Sequence, residues 1–126
     1  NVDLAGDVTL KNIKTDNVYL STGGDIMVNQ ATINGGQIIS EDDIDLHDTT
    51  FNGQVTVNSK NGNIEVTKAN DQIGYQVQAS NGDTKLFNQS NENGDQLKVN
   101  EDNGIQVKLT AGNGDIEVLK GTDDDD

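Results

Sequence analysis

The sequence has no cysteine, proline, tryptophan or arginine, and its 126 residues include only two tyrosines and two phenylalanines. Without cysteine there are no disulfides and no thiolate metal sites. All eight basic residues are lysines, set against 22 acidic ones, for a net charge of −14. Such a surface repels phosphate backbones and anionic headgroups, which argues against nucleic acid as a partner. No apolar run approaches the roughly 18 residues of a membrane span, so direct membrane insertion is not expected. No leader pattern is present, and Asn1-Val2-Asp3-Leu4 enters directly in strand pattern. The expectation is a domain of a longer chain, with any targeting or anchoring segment elsewhere.

Only 31% of residues are hydrophobic. That is too few for a thick two-layer core, but it suits a thin repetitive core to which every unit adds a few Val, Ile and Leu. Low hydrophobicity with high charge also describes disordered chains. Against disorder, the apolar residues fall in β-branched alternating pairs, and no proline interrupts them.

Those pairs flank short polar turns. Val18/Leu20 leads through Gly23-Gly24-Asp25 to Ile26/Val28, and Val55/Val57 through Asn61-Gly62-Asn63 to Ile64/Val66. Val77/Ala79 leads through Asn81-Gly82-Asp83 to Thr84/Leu86. Aligning Gly6, Gly24, Asp42, Gly62 and Gly82 gives steps of 18, 18, 20 and 20 residues. A period near twenty marks a repeat architecture. A third element recurs between units, as Thr32-Ile33-Asn34-Gly35 and Thr50-Phe51-Asn52-Gly53, with Ile13 and Ile73 at comparable places.

The expected fold is all-β: a right-handed parallel β-solenoid whose glycines take positive φ at the corners. A capping hairpin or meander is expected at the C-terminus, where Leu97/Val99, Ile105/Val107 and Ile116/Val118 follow at closer spacing. The alternative is an antiparallel β-sandwich, because Asn-Gly before a strand is also a hairpin signal. Residues 1–121 form one domain in this reading, and 122–126 a disordered acidic tail. Asn88 to Asp95 reads as a protruding loop.

The segments Gly24-Asp25-Ile26-Met27-Val28, Asn61-Gly62-Asn63-Ile64-Glu65-Val66 and Asn113-Gly114-Asp115-Ile116-Glu117-Val118 resemble the β-strand-repeat, adhesin-type domains of bacterial envelope proteins. The resemblance implies a surface location and a solenoid-like fold. It implies no chemistry, because that family offers no catalytic motif.

Stacking would bring Asp7, Asp25, Asp43, Asn63 and Asp83 into one outer column. Unit charges about 4.8 Å apart repel by roughly 1 kcal/mol even in water. Calcium, which takes oxygen ligands, is the cation that could relieve this, with Asp25, Asp43, Asp83 and Asp115 as candidate ligands. The alternative is that the turns splay and water screens them. Asp42, Asp43 and Asp45 could also be drawn as a glycosidase-type carboxylate site. Without tryptophan platforms, or arginine to steady a substrate carboxylate, catalysis is not expected. His47 has no Ser or Cys partner and reads as a surface residue.

The function expected is a non-enzymatic, adhesin-like module at the bacterial cell surface, presenting an acidic binding or spacer face to a protein or glycan ligand. The alternatives are a polysaccharide-active β-helix enzyme and a purely structural domain that self-associates into homo-oligomers, with the C-terminal units as interface.

Overall fold

A computed structural model describes residues 2–4, 6–69, 73–87, 89–91, 96–100, 102 and 104–120. Among these there is no helix, and the chain coils. The first coil is β1 (Val2–Leu4), β2 (Val8–Lys11) and β3 (Lys14–Thr15). The second is β4 (Val18–Thr22), β5 (Ile26–Asn29) and β6 (Thr32–Ile33), and the third β7 (Gly36–Ser40), β8 (Ile44–His47) and β9 (Thr50–Phe51). The fourth has β10 (Val55–Ser59) and β11 (Ile64–Ala69), and the fifth β12 (Gly74–Ala79) and β13 (Thr84–Leu86). Then come β14 (Gln89–Asn91), β15 (Gln96–Val99) and a last coil of β16 (Gln106–Ala111) and β17 (Ile116–Lys120).

Equivalent strands pair parallel and in register, giving two seven-stranded sheets and a three-stranded third. Parallel pairing between successive coils is the solenoid, and it rules out the antiparallel sandwich. Alternation sends one set of residues inward. Val8, Ile26, Ile44, Ile64 and Ile116 form one core column, and Leu20, Ile38, Val57, Leu109 and Val77 another. The third sheet contributes Ile33 and Phe51, both buried. Thr15, not Ile13, stands in register with them, while Ile13 is half-buried against the core. Ile73 is buried, but no third-sheet strand passes there among the described residues.

The order of coils departs from the order of the sequence. β16 lies between β10 and β12, and β17 between β11 and β13. The last coil is therefore an interior rung, not a C-terminal cap. The cap is made earlier, where β15 and β14 run antiparallel on β12 and β13. The 20-residue step from Gly62 to Gly82 thus spans two rungs. Corner length explains the placement. Coils two and three have two residues between the last inward residue of the first sheet and the corner Asp, as in Ser40-Glu41-Asp42-Asp43. Coils four, five and the last have three, as in Ser59-Lys60-Asn61-Gly62-Asn63, and these three stack together. Their extra Asn forms its own ladder: Asn81 Nδ2 donates to Asn113 Oδ1 at 3.0 Å, and Asn113 Nδ2 to Asn61 Oδ1 at 2.7 Å.

Positive φ is not the reason for the corner glycines. Gly36 is the one glycine with positive φ among the described residues, at 124°. The left-handed corner lies on the far side of the second sheet and is taken by Asn12, Gln30, Asp48, Lys68 and Phe87, with φ from 53° to 58°. At several of these corners glycine serves close approach, although coil three carries Asp42 in that place. A Cβ on Gly62 would lie 2.4 Å from the Asp42 carbonyl carbon, and one on Gly114 2.1 Å from the Gly62 oxygen. Of the expected protruding loop, Gln89–Asn91 is strand β14. Asn88 and residues 92–95 lie outside the described residues, as does the tail at 122–126.

Gly62→Ala should therefore lower stability by about 1–3 kcal/mol, because backbone must move to admit the methyl. Gly6→Ala, where nothing lies within 4 Å of the added carbon, should change stability by less than about 0.5 kcal/mol. Chemical denaturation of the two variants checks the contrast.

Candidate functional site

The Gly-Asp corner joins the two large sheets, and it does bring the acidic column together. In space the column runs Asp7, Asp25, Asp43, Asn63, Asp115, Asp83. Each backbone N–H donates to the side-chain oxygen of the preceding coil. Asp25 N donates to Asp7 Oδ1 at 2.9 Å, Asp43 N to Asp25 Oδ1 at 3.1 Å, and Asn63 N to Asp43 Oδ1 at 2.8 Å. Asp115 N donates to Asn63 Oδ1 at 2.8 Å, and Asp83 N to Asp115 Oδ1 at 2.9 Å. Bonds from N–H to carboxylate are among the stronger hydrogen bonds and offset repulsion along the column. Asn63 fits the series because its Oδ1 accepts as a carboxylate would.

Behind the column runs a row of buried hydroxyls. Thr22, Ser40 and Ser59 donate to the carbonyls of Gly6, Gly24 and Asp42. They also accept from the backbone N–H groups of Gly24, Asp42 and Gly62, at 3.2, 2.9 and 3.1 Å. Sequence reasoning passed over these residues. The signal was present: a hydroxyl at the last inward position before each turn in coils two to four.

The four calcium candidates therefore share one ladder but not one place. Asp25 and Asp43 converge with Asp42, each offering a carboxylate oxygen within 4.8 Å of the others. Asp115 and Asp83 stand further along. Asp25, Asp42 and Asp43 are the group that could hold one hard cation. Among the described residues, no other cluster of three His or carboxylate ligands meets that spacing.

Beside the corner, the outward row of the second sheet runs Thr9, Met27, Asp45, Glu65, Glu117, Lys85. Asp43, Asp45, Glu65, Glu117, Asp115 and Asp83 line a groove of about 600 Å³ in which Lys85 is the one cation. Lys85 Nζ lies 3.9 Å from a Glu117 oxygen, an exposed pair of small worth. The Glu65 carboxyl is held above its ordinary range. Burial is the largest cause, followed by the nearby charges of Asp45 and Glu117, with His47 pulling the other way. His47 is exposed, and its Nδ1 lies against the Thr67 hydroxyl. Phe51 belongs to the core and is no part of a sugar platform.

The Toastrack DUF4097 family model matches residues 4–119. The chain belongs to that family. No curated protein and no solved structure matches the chain. A Toastrack domain is a β-repeat module of uncharacterised function, and the parallel coils seen here agree with a β-solenoid of that kind. Its most concentrated chemistry is the acidic groove and the ladder beside it.

Two outcomes follow. Asp43→Ala removes an acceptor from the ladder of this Toastrack domain and should cost about 1 kcal/mol. Asp43→Asn keeps Oδ1 and should melt no lower than the parent. A melting midpoint that calcium raises in the parent, but not in Asp43→Asn, would instead mark an ion at Asp25, Asp42 and Asp43.

The second concerns pH. Because folding raises the affinity of Glu65 for its proton, the stability tied to that proton is fully present below the ordinary value of 4.5. It is lost as pH rises through the raised folded value. Glu65→Gln should melt higher than the parent at pH 7, and the difference should shrink as pH falls toward 4.5. Paired melts across that window measure it.

Proposed function

We propose that this Toastrack domain is a non-enzymatic, adhesin-like module of a bacterial cell surface, carried outside the cell on a longer chain. It presents its second sheet as a rigid acidic face to a cationic partner. The observation that carries this reading is the groove in which six carboxylates face one lysine. A field of one sign in a shallow groove raises the local concentration of an oppositely charged ligand and speeds its capture. The raised pKa of Glu65 supports it, since the folded chain keeps these charges close at a cost in stability.

The second reading is a polysaccharide-active enzyme. Glu65 beside Asp45 and Glu117 is a carboxyl biased toward its protonated form next to charged neighbours, as acid catalysis uses. No aromatic residue lines that groove to seat a sugar, so binding is the better account. Self-association cannot run edge to edge through β16 and β17, which are paired on both edges, and among the C-terminal strands would have to use β14 or β15 at the sheet ends.

A lysine-rich peptide should bind the full chain at low salt, weaken steeply with ionic strength, and lose most of its affinity in Asp45→Asn/Glu117→Gln. Calorimetry at two salt concentrations measures this. Failure to bind at low salt, or binding indifferent to the double variant, removes the acidic-face reading.

A further inference from the structure

The outside of the first sheet has a different chemistry from the acidic face, and we propose that it binds a neutral, linear polysaccharide laid along the solenoid axis and stacked on Tyr19. The proposal is independent of the acidic groove. The outward row runs in register through Tyr19, Gln37, Thr56, Lys108, Gln76 and Lys98. Two adjoining grooves, of about 500 and 280 Å³, lie along it and share Gln54 and Thr56. No carboxylate lines either groove, in a chain with 22 acidic residues.

Tyr19 lies at one end of this row and is 42% exposed. Among the described residues it shares large-apolar exposure only with Met27, on the acidic face. A tyrosine ring offers an apolar face with a polar tip, which suits the C–H face of a pyranose. The amides and hydroxyls beside it each donate and accept, which matches a ligand whose hydroxyls do the same. The row repeats from coil to coil at about 4.8 Å, comparable to the length of one sugar in an extended chain. Successive sugars can therefore meet successive rungs.

Other occupants fit less well. A polyanion would find two lysines in the row and a net charge of −14 around them. A polycation is drawn to the opposite face. An apolar protein surface needs a contiguous apolar patch, and this face offers Tyr19 and the half-buried Ile39.

The test is titration of the full chain with cellohexaose and with chitohexaose, followed by calorimetry and NMR, with an oligogalacturonate as the charged control. At least one neutral hexasaccharide should bind and shift the resonances of Tyr19, Gln37 and Thr56. Tyr19→Ala, an exposed change that leaves the core intact, should weaken that binding roughly tenfold or more. Glu65→Gln should leave it unchanged. Binding by neither neutral sugar, binding by the galacturonate alone, or binding insensitive to Tyr19→Ala overturns the proposal. The lysine-peptide experiment stands or falls separately, so loss of one reading leaves the other readable.

Discussion

At the corner between the two large sheets, a backbone N–H of one coil donates to the Asx oxygen of the coil before it, and glycines such as Gly24, Gly62 and Gly114 leave room for the close approach. The rest of the structure depends on that step. A tight turn leaves backbone polar groups that must find partners, and leaving one buried and unpaired costs about 1–3 kcal/mol. Here Oδ1 of the neighbouring coil takes one N–H, while the Thr22, Ser40 and Ser59 hydroxyls accept an N–H of their own turn and donate to a carbonyl of the coil before. No coil satisfies its corner entirely by itself. Stability is accordingly a property of the stack, as expected where each repeat contacts only its neighbours. The ladder also explains how a chain with so little hydrophobic material holds its shape. The core columns supply cohesion, and the corner supplies register.

The same corner decides where the last coil goes. Coils with the longer turn, carrying Asn61, Asn113 and Asn81, stack on one another, so β16 and β17 enter between β10/β11 and β12/β13. Pairing of this kind joins residues some fifty positions apart, such as Asn113 with Asn61, and contacts so distant in sequence slow folding. The placement also completes both outer faces. Glu117 and Asp115 reach the acidic groove, and Lys108 the carboxylate-free row, only because this coil is inside the stack. Neither surface is complete until that coil has docked.

Much of this was legible in the residues. The period near twenty, the inward pairs and the third element through Ile33 and Phe51 all report local coil geometry, and local geometry is what a single sequence encodes. The order of coils was not legible from periodicity. Ile64/Val66 could face Thr84/Leu86 as readily as Ile116/Val118, because one apolar column is much like another. The extra corner residue before Asn63, Asp83 and Asp115 was the clue, and it is visible only when corner lengths are compared. The left-handed corner gave no signal either. Gln30, Lys68 and Phe87 are not residues chosen for positive φ, and tertiary pairing holds them there. As for the acidic column, sequence named five of its members but not Asp115 between Asn63 and Asp83, and read it as repulsion to be relieved by a cation or by splayed, screened turns. The missing fact was that each coil after the first turns a backbone N–H toward the Asx oxygen of its neighbour.

In a solenoid the inward residues and the corners determine the fold, which leaves the outward rows free of structural duty. Their composition is then information about something other than folding. If solubility alone governed them, acidic residues would spread over both broad faces. Instead Asp45, Glu65 and Glu117 stand consecutively in one row, while the row through Tyr19, Gln37 and Thr56 has no carboxylate among its described members. Like charges directly opposite on neighbouring strands are destabilising, and Asp45 and Glu117 add to burial in holding the Glu65 carboxyl above its ordinary range. Separating the two chemistries would relieve nothing within the fold, since repulsion is greatest where the charges are collected. A cost kept on one face, with the row on the other face free of carboxylates, is what two different ligands would require.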